Sequence, residues 1–266
     1  MKIGIVGCAG RMGQMLVAEV FNTDGCELVG GTEGLGNYAL GKDIAVYAGL
    51  PECGMLICEN ADGLFATADV VIDFTRPIAT PGHLKLAQKY NVNLILGTTG
   101  HDMAGIAEIE GAAKNVTIVK AMNFSIGVNV LFALTEKLSS LLDDDYDIEI
   151  IEMHHKHKVD APSGTAIGLG EAAAKGRGVN LDKVSARARD GITGVRKKGD
   201  IGFASLRGGD VIGEHSVVYA GESERVELVH KASSRDIFSK GAVLAAGWTK
   251  GQPPGLYDML DVLGLK

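Results

Sequence analysis

Proline and cysteine are scarce in this chain, 6 and 4 residues of 266. No apolar run approaches the roughly 20 residues of a membrane span. The cysteines, Cys8, Cys26, Cys53 and Cys58, are scattered through the first quarter at spacings that match no zinc site and no disulfide framework. Basic residues do not dominate: the net charge is -7, which points away from a nucleic-acid or membrane partner. The opening MKIGIVGCAG lacks a long apolar stretch and a cleavage site, so no signal peptide is expected and a cytoplasmic home is. No internal repeat or low-complexity tract occurs. Aromatics are only 5%, yet hydrophobic residues reach 46%, enough for a substantial core rather than a disordered chain. What is plentiful is glycine, 37 residues, and hence tight turns.

Three of those glycines form a motif near the start of the chain. Lys2 to Val6 is a short apolar run led by β-branched residues, which reads as a buried strand. GCAGRMG follows, with Gly7, Gly10 and Gly13 spaced by three, and Met12 to Phe21 then carries apolar residues at helical spacing. Strand, glycine turn and helix in that order form a dinucleotide-binding fingerprint. The turn is G-x-x-G-x-x-G, with Ala9 where a second glycine is usual; alanine is the smallest alternative and still admits a pyrophosphate. A second strand, Glu27 to Gly31, leads to Glu33, an acid placed for the ribose hydroxyls of the cofactor.

Alternation continues. Val70 to Phe74 is a strand, Ala79 to Lys89 a helix and Asn93 to Leu96 a strand ending in GTTG. Asp102 to Lys114 is a helix N-capped by Asp102, and Val116 to Lys120 a strand ending in AMNFS. This pattern predicts an α/β fold with a Rossmann-type doubly wound parallel sheet, whose ligands bind beyond the carboxyl ends of the strands. DFTRP, GTTG and AMNFS all fall there.

The character changes after Asn123. Ile126 to Leu142 reads as a long apolar helix, Asp147 to Met153 as an alternating strand, and Gly164 to Lys175 as a helix. Arg177 to Lys198 is polar and reads as a surface loop or lid. Ile201 to Leu206, Val211 to Tyr219 and Glu224 to Lys231, joined by RGGD and AGES turns, predict an antiparallel meander. Ile237 to Thr249 is a final helix, and GQPPG precedes a short closing one. The expected division is 1–125 with 236–266 as a dinucleotide-binding domain, and 126–235 as a smaller α+β domain with a mixed or antiparallel sheet.

His154 to Thr165, HHKHKVDAPSGT, carries the chemistry. His154 to Lys158 are all His or Lys. The Asp160-Ala161-Pro162 turn follows, and Ser163, Gly164 and Thr165 open a helix whose start suits an anion. His and Lys also pass protons near neutral pH. Cationic docking beside proton transfer fits an enzyme for a small anionic substrate. A metal site is disfavoured by the interleaved lysines and by the lack of a nearby acid or cysteine; a merely solvated charged face remains open on this stretch alone.

GCAGRMG, DFT, GTTG, AMNFSIGVN and above all EMHHKHKVDAPSGTA resemble the 4-hydroxy-tetrahydrodipicolinate reductase (dihydrodipicolinate reductase) family, over nearly the whole length. The resemblance implies a Rossmann domain completed by the C-terminal helices and a central domain that builds a homotetramer. It implies hydride transfer from NADH or NADPH to a small cyclic dicarboxylate, with loss of water, in lysine and diaminopimelate biosynthesis. Matched to the family pattern, Gly7, Cys8, Ala9, Gly10, Arg11, Met12, Glu33, Gly97, Thr98, Thr99, Ala121, Met122, Asn123 and Phe124 contact the cofactor. His154 matches a proton donor and acceptor and Lys158 a proton donor. His155, Gly164 and Thr165, with Ser163 beside them, match substrate contacts. No metal is implied.

Two departures stand out. Gly34 occupies the position where many members carry an arginine for the 2′-phosphate of NADPH. Asp236 and Ser239 stand where apolar or small residues are expected, which weakens any role for Arg235. The alternatives are another Rossmann reductase of amino-acid metabolism, which would lack HHKHKVDAPSGT, and a non-catalytic nucleotide-sensing regulator, which would bind cofactor without turnover.

Overall fold

A computed structural model describes every residue, Met1–Lys266. The chain forms two compact units, one of Met1–Ser125 with Asp236–Gly264, the other of Ile126–Arg235.

In the first unit, β1 (Lys2–Val6), α1 (Arg11–Asn22) and β2 (Glu27–Thr32) are followed by two short helices, α2 (Ile44–Tyr47) and α3 (Ala61–Thr67). Then come β3 (Val70–Asp73), α4 (Thr80–Tyr90), β4 (Asn93–Leu96), α5 (Met103–Ala112) and β5 (Thr117–Lys120). Asp102 caps α5, its side chain accepting from the Gly105 N–H at 2.8 Å. The strands are nearly all buried because both faces of the sheet are covered. Ile3, Ile5, Ile72, Ile95 and Val119 face a core shared with α1, while Val71, Leu94, Leu96 and Ile118 face the other core.

The second unit runs through α6 (Ile126–Leu141), β6 (Asp147–His154), α7 (Gly164–Gly176), α8 (Leu181–Val184), β7 (Ser185–Ala186), β8 (Ile201–Arg207), β9 (Gly213–Ala220) and β10 (Arg225–Ala232). Its sheet has the order β10-β9-β6-β8-β7. The meander expectation is corrected here. β9 and β10 do form an antiparallel hairpin, but β8 pairs in parallel with β6, and β6 lies between β8 and β9. A turn sequence such as RGGD reverses the chain without choosing the partner strand. Alternation does hold along β6: Ile148, Ile150, Glu152 and His154 are buried on one face. Beside them on β9 lie Tyr219, Val217 and His215. Tyr219 is fully buried and its hydroxyl donates to the Thr135 carbonyl at 2.9 Å. The 177–198 stretch is not a bare loop. It holds α8 and β7, and Arg189 and Arg196 return to β6, where Arg189 grips Glu149 through two 2.8 Å bonds.

The chain then returns to the first unit as α9 (Asp236–Trp248), β11 (Gly255–Tyr257) and α10 (Met259–Leu263). β11 was not anticipated. It pairs in parallel with β5 and completes a six-stranded, all-parallel sheet of order β11-β5-β4-β3-β1-β2. α9 packs on α1, and it also lies so close to the turn after β5 that a Cβ at Gly241 would lie 1.7 Å from the Phe124 carbonyl oxygen. Asp236 and Ser239 serve the start of this helix: Asp236 pairs with Lys240 at 3.1 Å and the Ser239 hydroxyl donates to the Asp236 carbonyl.

Candidate active site

The strand order of the first sheet reverses between β1 and β3, and a cavity of about 740 Å³ opens there, lined by Gly7, Ala9, Gly10, Glu33 and Thr75 among others. Gly7 has φ +71, and a Cβ on it would lie 2.7 Å from the Thr75 methyl. A Cβ on Gly13 would lie 2.1 Å from the Gly7 carbonyl oxygen. The start of α1 at Gly10 has no side-chain cap, which leaves it suited to a phosphate. These features fit a dinucleotide: a floor without side chains, an uncapped helix start and an acid at the end of β2. Glu33 itself ties the floor to that strand end, accepting from the Ala9 N–H at 2.7 Å and from the Asn37 amide at 3.0 Å.

The three polar turns of this unit come together. Asp73 is fully buried and accepts from the Thr75 N–H (2.9 Å) and hydroxyl (2.6 Å), the Thr98 hydroxyl (3.1 Å) and His83 Nδ1 (2.7 Å). Burial opposes its charge, but the His83 and Thr75 contacts win and hold the carboxyl below its usual range. Phe74 packs on Phe124 with ring centroids 5.2 Å apart, and Gly97 lacks a Cβ that would strike Phe74. Thr98 is thus buried and spent on Asp73, whereas Thr99 and Met122 are exposed. Cys8 is buried, its thiol pushed up to about 12 by burial, so only its backbone is available to a ligand. Arg11 is exposed and Met12 half-buried. Nothing in the sequence singled out His83, which lines the cavity.

In the second unit the expectation that no acid sits near the His/Lys run is corrected. Glu152 Oε2 lies 2.5 Å from His154 Nδ1. Arg207, opposite His154 on β8, grips both oxygens of Glu152 at 2.8 Å, and the Ser163 N–H donates to it at 3.2 Å. Burial would raise the Glu152 carboxyl, but Arg207 and His154 outweigh it and bring it to about 2. Burial pushes the His154 imidazole below its usual range, against the pull of Glu152. His215 meets His154 edge-on, centroids 5.1 Å apart, and is lowered to about 4, first by burial and then by His154. Lys158 pairs with Asp160 at 2.9 Å. Ser163 is buried. Its hydroxyl caps α7 through the Ala166 N–H and contacts His215 at 3.1 Å, so it organises the helix start rather than facing out, while Gly164 is exposed. Alternation along β6 was the signal for Glu152: position 152 shares the inward face with 148, 150 and 154, and a buried carboxylate needs a partner.

A doubly wound sheet with a nucleotide cradle, together with a histidine oriented by a buried carboxylate, defines the class: an oxidoreductase built on a dinucleotide-binding fold. Comparison with known proteins narrows it. Residues 1–124 match the family model "Dihydrodipicolinate reductase, N-terminus" and residues 127–263 the model "Dihydrodipicolinate reductase, C-terminus". The chain belongs to the dihydrodipicolinate reductase family. The 4-hydroxy-tetrahydrodipicolinate reductase of Dinoroseobacter shibae is 53% identical over 99% of this chain and 98% of its own. That of Parvibaculum lavamentivorans is 52% identical over 100% and 98%. Among solved structures, the dipicolinate-bound dihydrodipicolinate reductase from Paenisporosarcina sp. TG-14 aligns with a TM-score of 0.76 and 26% identity over 98% of both chains.

Proposed function

We propose that the chain reduces 4-hydroxy-tetrahydrodipicolinate to tetrahydrodipicolinate with loss of water, using NADH or NADPH, in lysine and diaminopimelate biosynthesis. The observation that carries this reading is the Glu152–His154 pair at 2.5 Å, with His154 four residues before Lys158 and Glu152 bonded to the start of α7, in a chain about half identical to curated reductases of that name. The first unit binds the cofactor, through the Gly7–Met12 turn, Glu33, Gly97–Thr99 and Ala121–Phe124. The reduced nicotinamide, when bound, supplies the hydride. The second unit binds the substrate, with His155, Gly164 and Thr165 for its carboxylates.

Glu152 and Arg207 fix the ring of His154. A neutral imidazole whose Nδ1–H donates to Glu152 presents Nε2 as a proton acceptor. The Lys158 ammonium donates a proton where hydride addition leaves negative charge on the substrate. The outer face of the second sheet leaves Ile151, Leu206 and Val229 exposed by 38%, 51% and 50%, and this face builds a homotetramer. No helix is long and apolar enough to cross a membrane, and a cytoplasmic home belongs to the same reading.

The test couples the purified chain to dihydrodipicolinate synthase and follows oxidation of each cofactor. Turnover is expected, and His154→Ala and Lys158→Ala should each lower kcat by roughly 10²–10⁴-fold with cofactor binding intact. Cofactor binding without turnover in the wild type would favour the regulator instead.

A further inference from the structure

Beyond Glu33 and Gly34, the wall of the nucleotide cavity includes two tyrosines that neither the glycine fingerprint nor the family pattern involves. Tyr38 and Tyr47 both line the cavity with Gly34 and Asn37. The Tyr47 hydroxyl donates to the Tyr38 hydroxyl at 2.6 Å. That leaves the Tyr38 proton directed to a further acceptor, and Tyr38 is 76% exposed. Lys42 sits over both rings, its Nζ 4.9 Å from the Tyr38 centroid and 5.6 Å from that of Tyr47.

Lys42 has no carboxylate partner, although Asp43 is its neighbour. Asp43 is spent on the backbone: its oxygens accept from the N–H groups of Ala45, Val46, Cys53 and Gly54. Glu33 is likewise engaged by Ala9 and Asn37. In a chain of net charge -7, this leaves an exposed lysine without an ion pair, held on two tyrosines that line the cavity and free to meet an anionic ligand. The sequence has no cation between Gly34 and Lys42, and folding of the loop after β2 is what seats this one on the rim tyrosines.

We infer that Lys42, carried on the Tyr38–Tyr47 pair, discriminates between nucleotides: with the Tyr38 hydroxyl it receives a phosphate on the adenosine ribose and thereby keeps NADPH in use beside NADH. The inference rests on the cofactor reading above. It gives Lys42 the part that an arginine at position 34 plays elsewhere, from a different point on the rim.

Binding rather than turnover tests it. The full-length protein, without substrate, is titrated with NADH and with NADPH, following the fluorescence of the nucleotide. Adenosine 2′-phosphate and adenosine 5′-phosphate are then used as competitors. Lys42 is exposed, so Lys42→Met and Lys42→Arg should fold. Lys42→Met is expected to weaken NADPH and adenosine 2′-phosphate roughly five- to tenfold, the effect of one exposed charge contact, and NADH by less than about twofold. Lys42→Arg should restore most of the loss. Equal weakening of both nucleotides, no weakening of either, or a wild type that binds NADH but not NADPH would overturn the inference alone. A wild type that binds neither would overturn the cofactor reading and the inference together.

Discussion

Replacing Glu152 by glutamine keeps the shape of the side chain and one acceptor oxygen but removes the charge that His154 and Arg207 share. Moving a carboxyl from its usual 4.5 to about 2 is worth about 3 kcal/mol, since each tenfold is about 1.4 kcal/mol. Glu152 is 1% exposed, so solvent does little to reduce that figure. The replacement also deprives Arg207, 20% exposed, of its two-pronged partner. The expected loss of stability at pH 7 is about 2–4 kcal/mol, read as a lower urea midpoint. The sign with pH follows from the direction of the shift. A depressed carboxyl contributes its full stability above its usual value of 4.5 and loses it as pH falls toward 2. The wild-type midpoint should therefore drop through that window, and the variant's should drop less. In the coupled assay, kcat should fall by about 10²-fold or more because His154 is no longer held in one orientation, with NADH affinity unchanged. A variant with the wild-type urea midpoint and the same acid slope would refute the argument that this pair is charged and holds the second unit together.

Three further outcomes are expected. A Cβ at Gly34 would meet nothing within 4 Å and the position is exposed, so Gly34→Arg should fold normally. One charge-assisted contact should then raise the NADPH-to-NADH ratio of kcat/KM roughly ten- to a hundredfold, from a wild type that uses NADH at least as well; side-by-side kinetics with the two cofactors decide this. Gly241→Ala forces backbone apart where α9 meets Phe124 and should cost roughly 2–4 kcal/mol, seen by calorimetry as a lower thermal midpoint. Light scattering at micromolar protein should give four times the chain mass, and a monomeric mass would remove the outer face of the second sheet as an assembly surface.

The legible parts of this molecule are those that a local rule determines. β1, β3, β4 and β5 are buried on both faces, so their apolar runs stand out. Gly7 is needed for its positive φ and Gly13 where backbone meets backbone, and Asp102 and Ser163 cap helices as their residue types suggest. Between residues 34 and 69 the elements are four and seven residues long, too short for a helical period to show. β11 has three residues and exists only because β5 offers an open edge.

The site divides along the same line. The His/Lys run and the glycine turn are contiguous in sequence. Arg207, His215 and Glu152, by contrast, meet through the register of three strands, with β6 placed between β8 and β9. The RGGD turn hides that arrangement because it looks like a hairpin. Period-two alternation still reaches across the gap. Once Ile148 and Ile150 are inward, Glu152 and His154 are too. A carboxylate on that face must either be neutralised by protonation or find a cation on a neighbouring strand. Arg207 is that cation, and its register with His154 lets the ion pair that pays for burying Glu152 also orient the imidazole.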